Sequence, residues 1–151
     1  PKYLREVVLP NIEAGARAAG RSLADIDICG GSFIVAGRNE EEVEKAKGPV
    51  KRQIAFYAST RTYKPVMDLH GWGETCLKLN RMSAEGRWQE MADAITDEML
   101  AEFAVVGTYD DVVPKLKARF ADLLNRISFD LPPGNGLDKG RLREMVRALR
   151  E

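Results

Sequence analysis

The chain has 151 residues, 44% of them hydrophobic, and its 23 basic and 23 acidic side chains cancel. That balance excludes a disordered chain and argues against nucleic acid or another polyanionic partner, while the length suits a single domain over residues 1–151 with a real core. No run approaches the ~20 apolar residues of a membrane span, and no signal-peptide core opens the chain, so no membrane role and a cytoplasmic protein are expected.

Leu4, Val7, Val8, Ile12 and Ala16 recur at helical spacing, and Gly20 and Ser22 punctuate the end, so the first helix is expected to reach about Ala19. The chain opens at Pro1, already inside this pattern. A missing amino-terminal part and removal of an initiator Met both fit that start. Ile26 and Ile28 alternate with polar neighbours, and Phe33 and Val35 continue on the opposite parity across Gly30 and Gly31. This predicts one strand with a bulge, ended by Gly37. Asn39 then caps a helix whose first turn carries Glu40, Glu41 and Glu42 and whose apolar face is Val43, Ala46, Val50, Ile54 and Tyr57, with a kink expected at Gly48–Pro49.

Beyond Ser59 the pattern breaks into short helices, over about Tyr63–Leu69, Trp72–Met82, Trp88–Ile95 and Asp97–Val105. Thr108 with Asp111 starts an amphipathic helix through Val112, Val113, Leu116, Phe120 and Leu123. Arg126–Leu131 reads as a second strand stopped by Pro132, Pro133 and Gly134, and Leu142, Met145, Val146 and Leu149 mark a last helix. Cys29 and Cys76 stand apart and there is one His, too few ligands for zinc, so both thiols are read as reduced and no metal is expected.

The fold class is therefore α/β and predominantly helical. Two strands separated by helices imply parallel pairing, and two parallel strands alone leave open edges, so the chain reads as part of a larger sheet. A parallel crossover needs about a dozen residues or more. The interval between the strands far exceeds that, which places most of Arg38 to Val106 as a long helical insertion at the carboxyl ends of the strands, before the returning helix.

The segment QIAFYASTRTYKPVMDLHGWG, Gln53 to Gly73, gathers aromatics, hydroxyls and the single histidine beside glycines. Together with AAGRS at Ala18–Ser22, GRWQEM at Gly86–Met91 and FAVVGTYDDVVPKLKARF at Phe103–Phe120, it resembles the carboxyl-terminal part of the luciferase-like monooxygenases, the flavin- or F420-dependent oxidoreductases. The resemblance implies the closing portion of a (β/α)8 TIM barrel, with Gly30–Gly37 as strand seven, Thr108–Phe120 as the helix after it and Arg126–Pro132 as strand eight. It also implies F420 or FMN as cofactor and a small organic substrate, which is reduced, dehydrogenated or oxygenated at the barrel mouth. Since many cofactor contacts of that family come from earlier strands, it further implies association with the missing barrel half, or a homo-oligomer.

On that reading His70 is the catalytic candidate, able to donate a proton or hydrogen-bond the ring; its alternative is to fix the turn before Gly71. Arg38, Thr60 and Tyr63 are cofactor-binding candidates, and Tyr57 and Trp72 substrate-binding ones. Arg38 can instead pair with Glu41 or Glu42, and Tyr57 and Trp72 can instead be core anchors. A rival of another class is a noncatalytic helical self-assembly or ligand-binding module derived from the barrel end.

Overall fold

The computed structural model describes residues 1–131 and 139–150, so the expected stop at Pro132, Pro133 and Gly134 lies outside the described residues. The first helix begins with a wide-turn segment, Leu4–Val8, and continues as α1, Leu9–Ala18. It ends where the sequence predicts. Gly20 takes φ 69°, Arg21 N–H donates to Ala16 O at 2.9 Å and Gly20 N–H donates to Arg17 O at 3.0 Å, a Schellman closure that only a residue tolerant of positive φ makes without strain.

The parity change at Gly30–Gly31 is resolved more sharply than by a bulge. The chain forms two strands, β1 (Cys29–Gly31) and β2 (Phe33–Gly37), separated at Ser32. Each takes its own parallel partner. β1 pairs with β4 (Arg126–Ser128), Cys29 opposite Arg126 and Gly31 opposite Ser128, whereas β2 pairs with β3 (Ala104–Thr108), Phe33 opposite Ala104 and Gly37 opposite Thr108. Ser32 Oγ donates to Phe103 O at 3.0 Å and so pins the switch point.

β3 corrects the sequence reading. The helix expected over Asp97–Val105 stops earlier, as α5, Asp97–Phe103, and the following Ala104–Thr108 is extended. The strand supplies β-branched Val105 and Val106 to a pairing that only the tertiary fold provides. The interval after β2 is therefore a crossover to another parallel strand, and the amphipathic helix α6, Tyr109–Phe120, returns from β3 rather than from β2. β4 is likewise shorter than expected, ending at Ser128.

Parallel strands are covered on both faces, and alternate residues of β2 show this. Val35 faces a core made with α2 (Glu40–Ala58), α4 (Gly73–Ala84) and α5, whereas Ile34 and Ala36 face a second core built around Val112, Leu116 and Phe120 of α6. Asn39 caps α2 by accepting from Glu42 N–H at 3.0 Å. The helix is continuous past Gly48–Pro49, at the cost of one interior hydrogen bond. Val43, Val50 and Ile54 are buried as the periodicity requires, but Tyr57 is 40% exposed.

α3 spans Lys64–Leu69. The helix expected over Trp88–Ile95 is reduced to a 3₁₀ turn, Met91–Ala94: between Gly86, at φ 74°, and the extended Ile95, Arg87 folds back onto Glu85 and Glu90. The capping box at Thr108 is as predicted, with Thr108 N–H donating to Asp111 Oδ2 at 3.0 Å and Thr108 Oγ1 at 2.8 Å from the same oxygen. The last helix, α7, covers Lys139–Arg150 and buries Met145 against the α6 side. Among the described residues no helix is long and apolar enough to cross a membrane.

Candidate functional site

β1 and β4 end side by side at Gly31 and Ser128. A Cβ on Gly31 would stand 3.3 Å from both Cβ and O of Ser128, so a glycine lets the two strand ends approach. Immediately beyond them lies a groove of about 640 Å³, bounded by Ser32, Phe33 and Ile34, by Val50 and Gln53 of α2, by Phe103, and by Asp130 and Leu131 after β4. The carboxyl ends of parallel strands are the usual position of a site in α/β proteins.

Phe33 and Phe103 also belong to a second cavity of about 410 Å³, completed by Ile54, Tyr57 and Ala58 of α2 and by Tyr63, Val66 and Met67 around α3. None of these residues is charged at neutral pH. The aromatic rings form a chain of contacts: Phe33 to Tyr57 at 6.1 Å between centroids, Tyr57 to Tyr63 at 5.8 Å, Tyr57 to Phe56 at 5.7 Å and Phe56 to Trp88 at 6.2 Å. Tyr57 and Tyr63 thus meet at one rim, each about two-fifths exposed.

His70 and Trp72 are also brought together, but one layer back. Their rings stack at 4.7 Å with 16° between planes, and Phe103 presents an edge to both, at 6.1 and 5.9 Å. The turn between them is fixed by Gly71 at φ 76° and by Trp72 N–H donating to Met67 O at 2.8 Å. His70 Nε2 is buried without a hydrogen-bond partner and lies 3.6 Å from Glu102 Oε1.

Thr60 and Arg38 line neither cavity. Thr60 is exposed before the Arg61–Tyr63 turn. Arg38 is drawn onto the helix it precedes: its Nε donates to Glu42 Oε1 at 2.7 Å, its Nη2 meets the same oxygen, and its backbone N–H donates to Glu42 Oε2 at 2.8 Å. Glu42 is held below the usual carboxylate range by those bonds, the side-chain one first. Cys29 is exposed; Cys76 is buried, and that burial pushes its thiol up. Among the described residues no cluster of three or more His, Cys, Asp or Glu could hold a metal.

The residues missed from sequence are Phe33, Phe103, Met67 and Gln53. Phe33 and Phe103 read only as strand and helix positions, Gln53 and Met67 lie in the Gln53–Gly73 segment without being singled out, and only the pairing of β2 with β3 shows that Phe33 and the residue before Ala104 share a wall.

Residues 1–126 match the family model of the luciferase-like monooxygenases. The chain belongs to that family. It is 35% identical over 126 residues to an uncharacterized protein of Mycobacterium tuberculosis, covering 83% of this chain and 37% of that one. It is 28% identical over 116 residues to the 5,10-methylenetetrahydromethanopterin reductase of Archaeoglobus fulgidus, covering 74% of this chain and 34% of the reductase. Among solved structures it superposes on the coenzyme F420-dependent tetrahydromethanopterin reductase of Methanopyrus kandleri with a TM-score of 0.67 and 26% identity, over 93% of this chain and 39% of that one. The chain thus spans less than two-fifths of the length of these relatives.

Proposed function

We propose that this luciferase-like chain is the carboxyl-terminal part of a (β/α)8 barrel, with β1–β2 as strand seven and β4 as strand eight, and that it forms one side of an F420 site in an oxidoreductase acting on a small organic substrate. The observation that carries the reading is the groove at the paired ends Gly31 and Ser128, with α2 overhanging it through Val50 and Gln53 and the Phe33–Phe103 wall leading into an apolar chamber. The solved Methanopyrus kandleri relative, whose name states dependence on coenzyme F420, favours F420 over FMN.

The residues present fit a planar ring better than they fit an anionic tail. Phe33 and Phe103 offer aromatic surface, and the Gln53 amide offers a donor and an acceptor. Ser32 Oγ is already committed to Phe103 O. Among the described residues at the groove Asp130 is the one acidic side chain and none is basic, so contacts to an anionic part of the cofactor fall to residues outside this lining. When bound, the deazaflavin supplies the hydride chemistry. The chain's own residues exclude water from the ring with Phe33, Val50 and Phe103, and hold the substrate between Tyr57 and Tyr63. His70 and Trp72 brace Phe103 from behind. Association with the rest of the barrel covers the open edges of β1 and β4.

The test is a side-by-side fluorescence titration of F420 and FMN against the chain, alone and co-expressed with the amino-terminal part of the Mycobacterium tuberculosis relative. Saturable F420 binding only in the co-expressed protein, at least tenfold tighter than FMN, is expected. Equal or tighter FMN binding would overturn the cofactor assignment, and tight F420 binding by the chain alone would overturn the partial-site reading.

A further inference from the structure

The chemistry of the smaller cavity points to its occupant. We infer that the chamber between α2 and α3 takes an uncharged, hydrocarbon-rich ring or branched portion of the substrate, whose hydroxyl or carbonyl group is met at the rim by the phenols of Tyr57 and Tyr63. This rests on the oxidoreductase reading above and narrows its substrate class.

Three features carry the inference. First, the chamber of about 410 Å³ is walled by aliphatic and aromatic carbon throughout, with Ile54, Ala58 and Met67 at most 4% exposed behind it. An ionised group placed there would lose part of its hydration with no partner of opposite charge among the described lining residues. Second, the tyrosine hydroxyls are the only side-chain oxygen or nitrogen atoms among its described lining residues. The Tyr57 and Tyr63 rings meet edge-to-face at 5.8 Å, and their hydroxyls hydrogen-bond no other described residue, so both can donate or accept at the mouth. Third, Phe33 and Phe103 border both this chamber and the groove at the strand ends, so the two spaces adjoin across one aromatic wall. Such a site selects by burial of apolar area and by one or two hydrogen bonds, and rejects anionic analogues of the same shape.

The experiment compares 2-naphthol, naphthalene and 2-naphthoate, three probes of similar ring size, by quenching of intrinsic fluorescence and by calorimetry. Expected is saturable one-site binding of 2-naphthol, with naphthalene about threefold to tenfold weaker and 2-naphthoate at least tenfold weaker. Tyr57→Phe/Tyr63→Phe should bring 2-naphthol down to the affinity of naphthalene, and Val66→Phe, which fills the chamber, should weaken both neutral probes at least tenfold. Naphthoate binding as tightly as naphthol, or neutral-probe binding unchanged in Val66→Phe, would overturn the inference. If Val66→Phe does not fold, the charge comparison on the unmodified protein still decides. The two readings fail separately: naphthol binding without F420 binding removes the redox role, and F420 binding with charge-blind probe binding removes the substrate class.

Discussion

His70 stacks on Trp72 with its Nε2 buried, 3.6 Å from Glu102 Oε1 and without a hydrogen bond among the described residues, while Phe103 closes on both rings. The stack contributes apolar and ring–ring contact, and the orphaned nitrogen opposes it, because an unsatisfied buried polar atom costs about 1–3 kcal/mol. Two substitutions should therefore move stability in opposite directions. His70→Phe keeps the stack, deletes the polar atom and should raise the urea midpoint by the equivalent of about 1 kcal/mol. His70→Ala loses the stack and should lower it by about 1 kcal/mol. Equal destabilisation by both would show that Nε2 has a partner in solution.

Gly37 ends β2 where α2 turns back over the sheet. A Cβ there would stand 2.6 Å from Glu42 Cβ and 2.8 Å from Val43 N, and the latter is backbone that cannot swing aside. Gly37→Ala should cost about 1–3 kcal/mol, as overpacked sites do. Gly15 on α1 has nothing within 4 Å of the same position, so Gly15→Ala should stabilise by about 0.5–1 kcal/mol through helix propensity and reduced freedom of the unfolded chain. Thermal melts of the pair check both signs.

Arg119 fastens α6 to the junction between α5 and β3. Its Nη1 donates to Ala101 O at 2.8 Å and to Ala104 O at 3.4 Å, and its Nη2 donates to Glu102 O. These carbonyls end a helix and have no later turn to bond. Burial holds the guanidinium below its ordinary range, with Glu102 opposing that shift. Arg119→Met keeps the stem and removes the fork. It should cost about 1.5–3 kcal/mol, the value of hydrogen bonds to a charged group, and denaturant unfolding measures it.

The capping box gives a pH signature. The Thr108 hydroxyl first, and its backbone N–H second, hold Asp111 below its ordinary value of 3.8. Because the folded value is depressed, this contribution is complete above the unfolded value and is lost as pH falls through the folded one. Asp111→Asn should therefore lower stability at pH 7, and the gap to the parent protein should shrink as the pH drops below about 4. A gap that is constant from pH 7 to pH 3, by urea midpoints, would remove Asp111 from the cap.

Local chemistry made the helix starts legible: Asn39 before three glutamates and Thr108 three residues ahead of Asp111 each name a cap, and each is found. The parallel relation of the Gly30 and Ile127 strands was legible from their separation along the chain. β3 was not. Met99, Leu100 and Phe103 carry a helical period straight into Ala104–Val106, and a short apolar run cannot be assigned by period alone; the decision comes from β2, more than sixty residues earlier. The site divided in the same way. Tyr57, Tyr63, His70 and Trp72 were visible as a cluster of chemistry-bearing types, whereas the Phe33–Phe103 wall exists only through strand pairing, and Arg38 followed the local attraction of Glu42.

On the proposed reading a deazaflavin lies at the carboxyl ends of β1 and β4. Backbone hydrogen exchange of the co-expressed protein, with and without F420, tests it most directly. Slowed exchange at Gly31–Ile34, Phe103 and Ser128–Leu131, with little change at Asp27–Cys29 and Asn125, is the expected result. Protection confined to the opposite ends of these strands, with Gly31–Ile34 and Ser128–Leu131 unaltered at saturating F420, would contradict it.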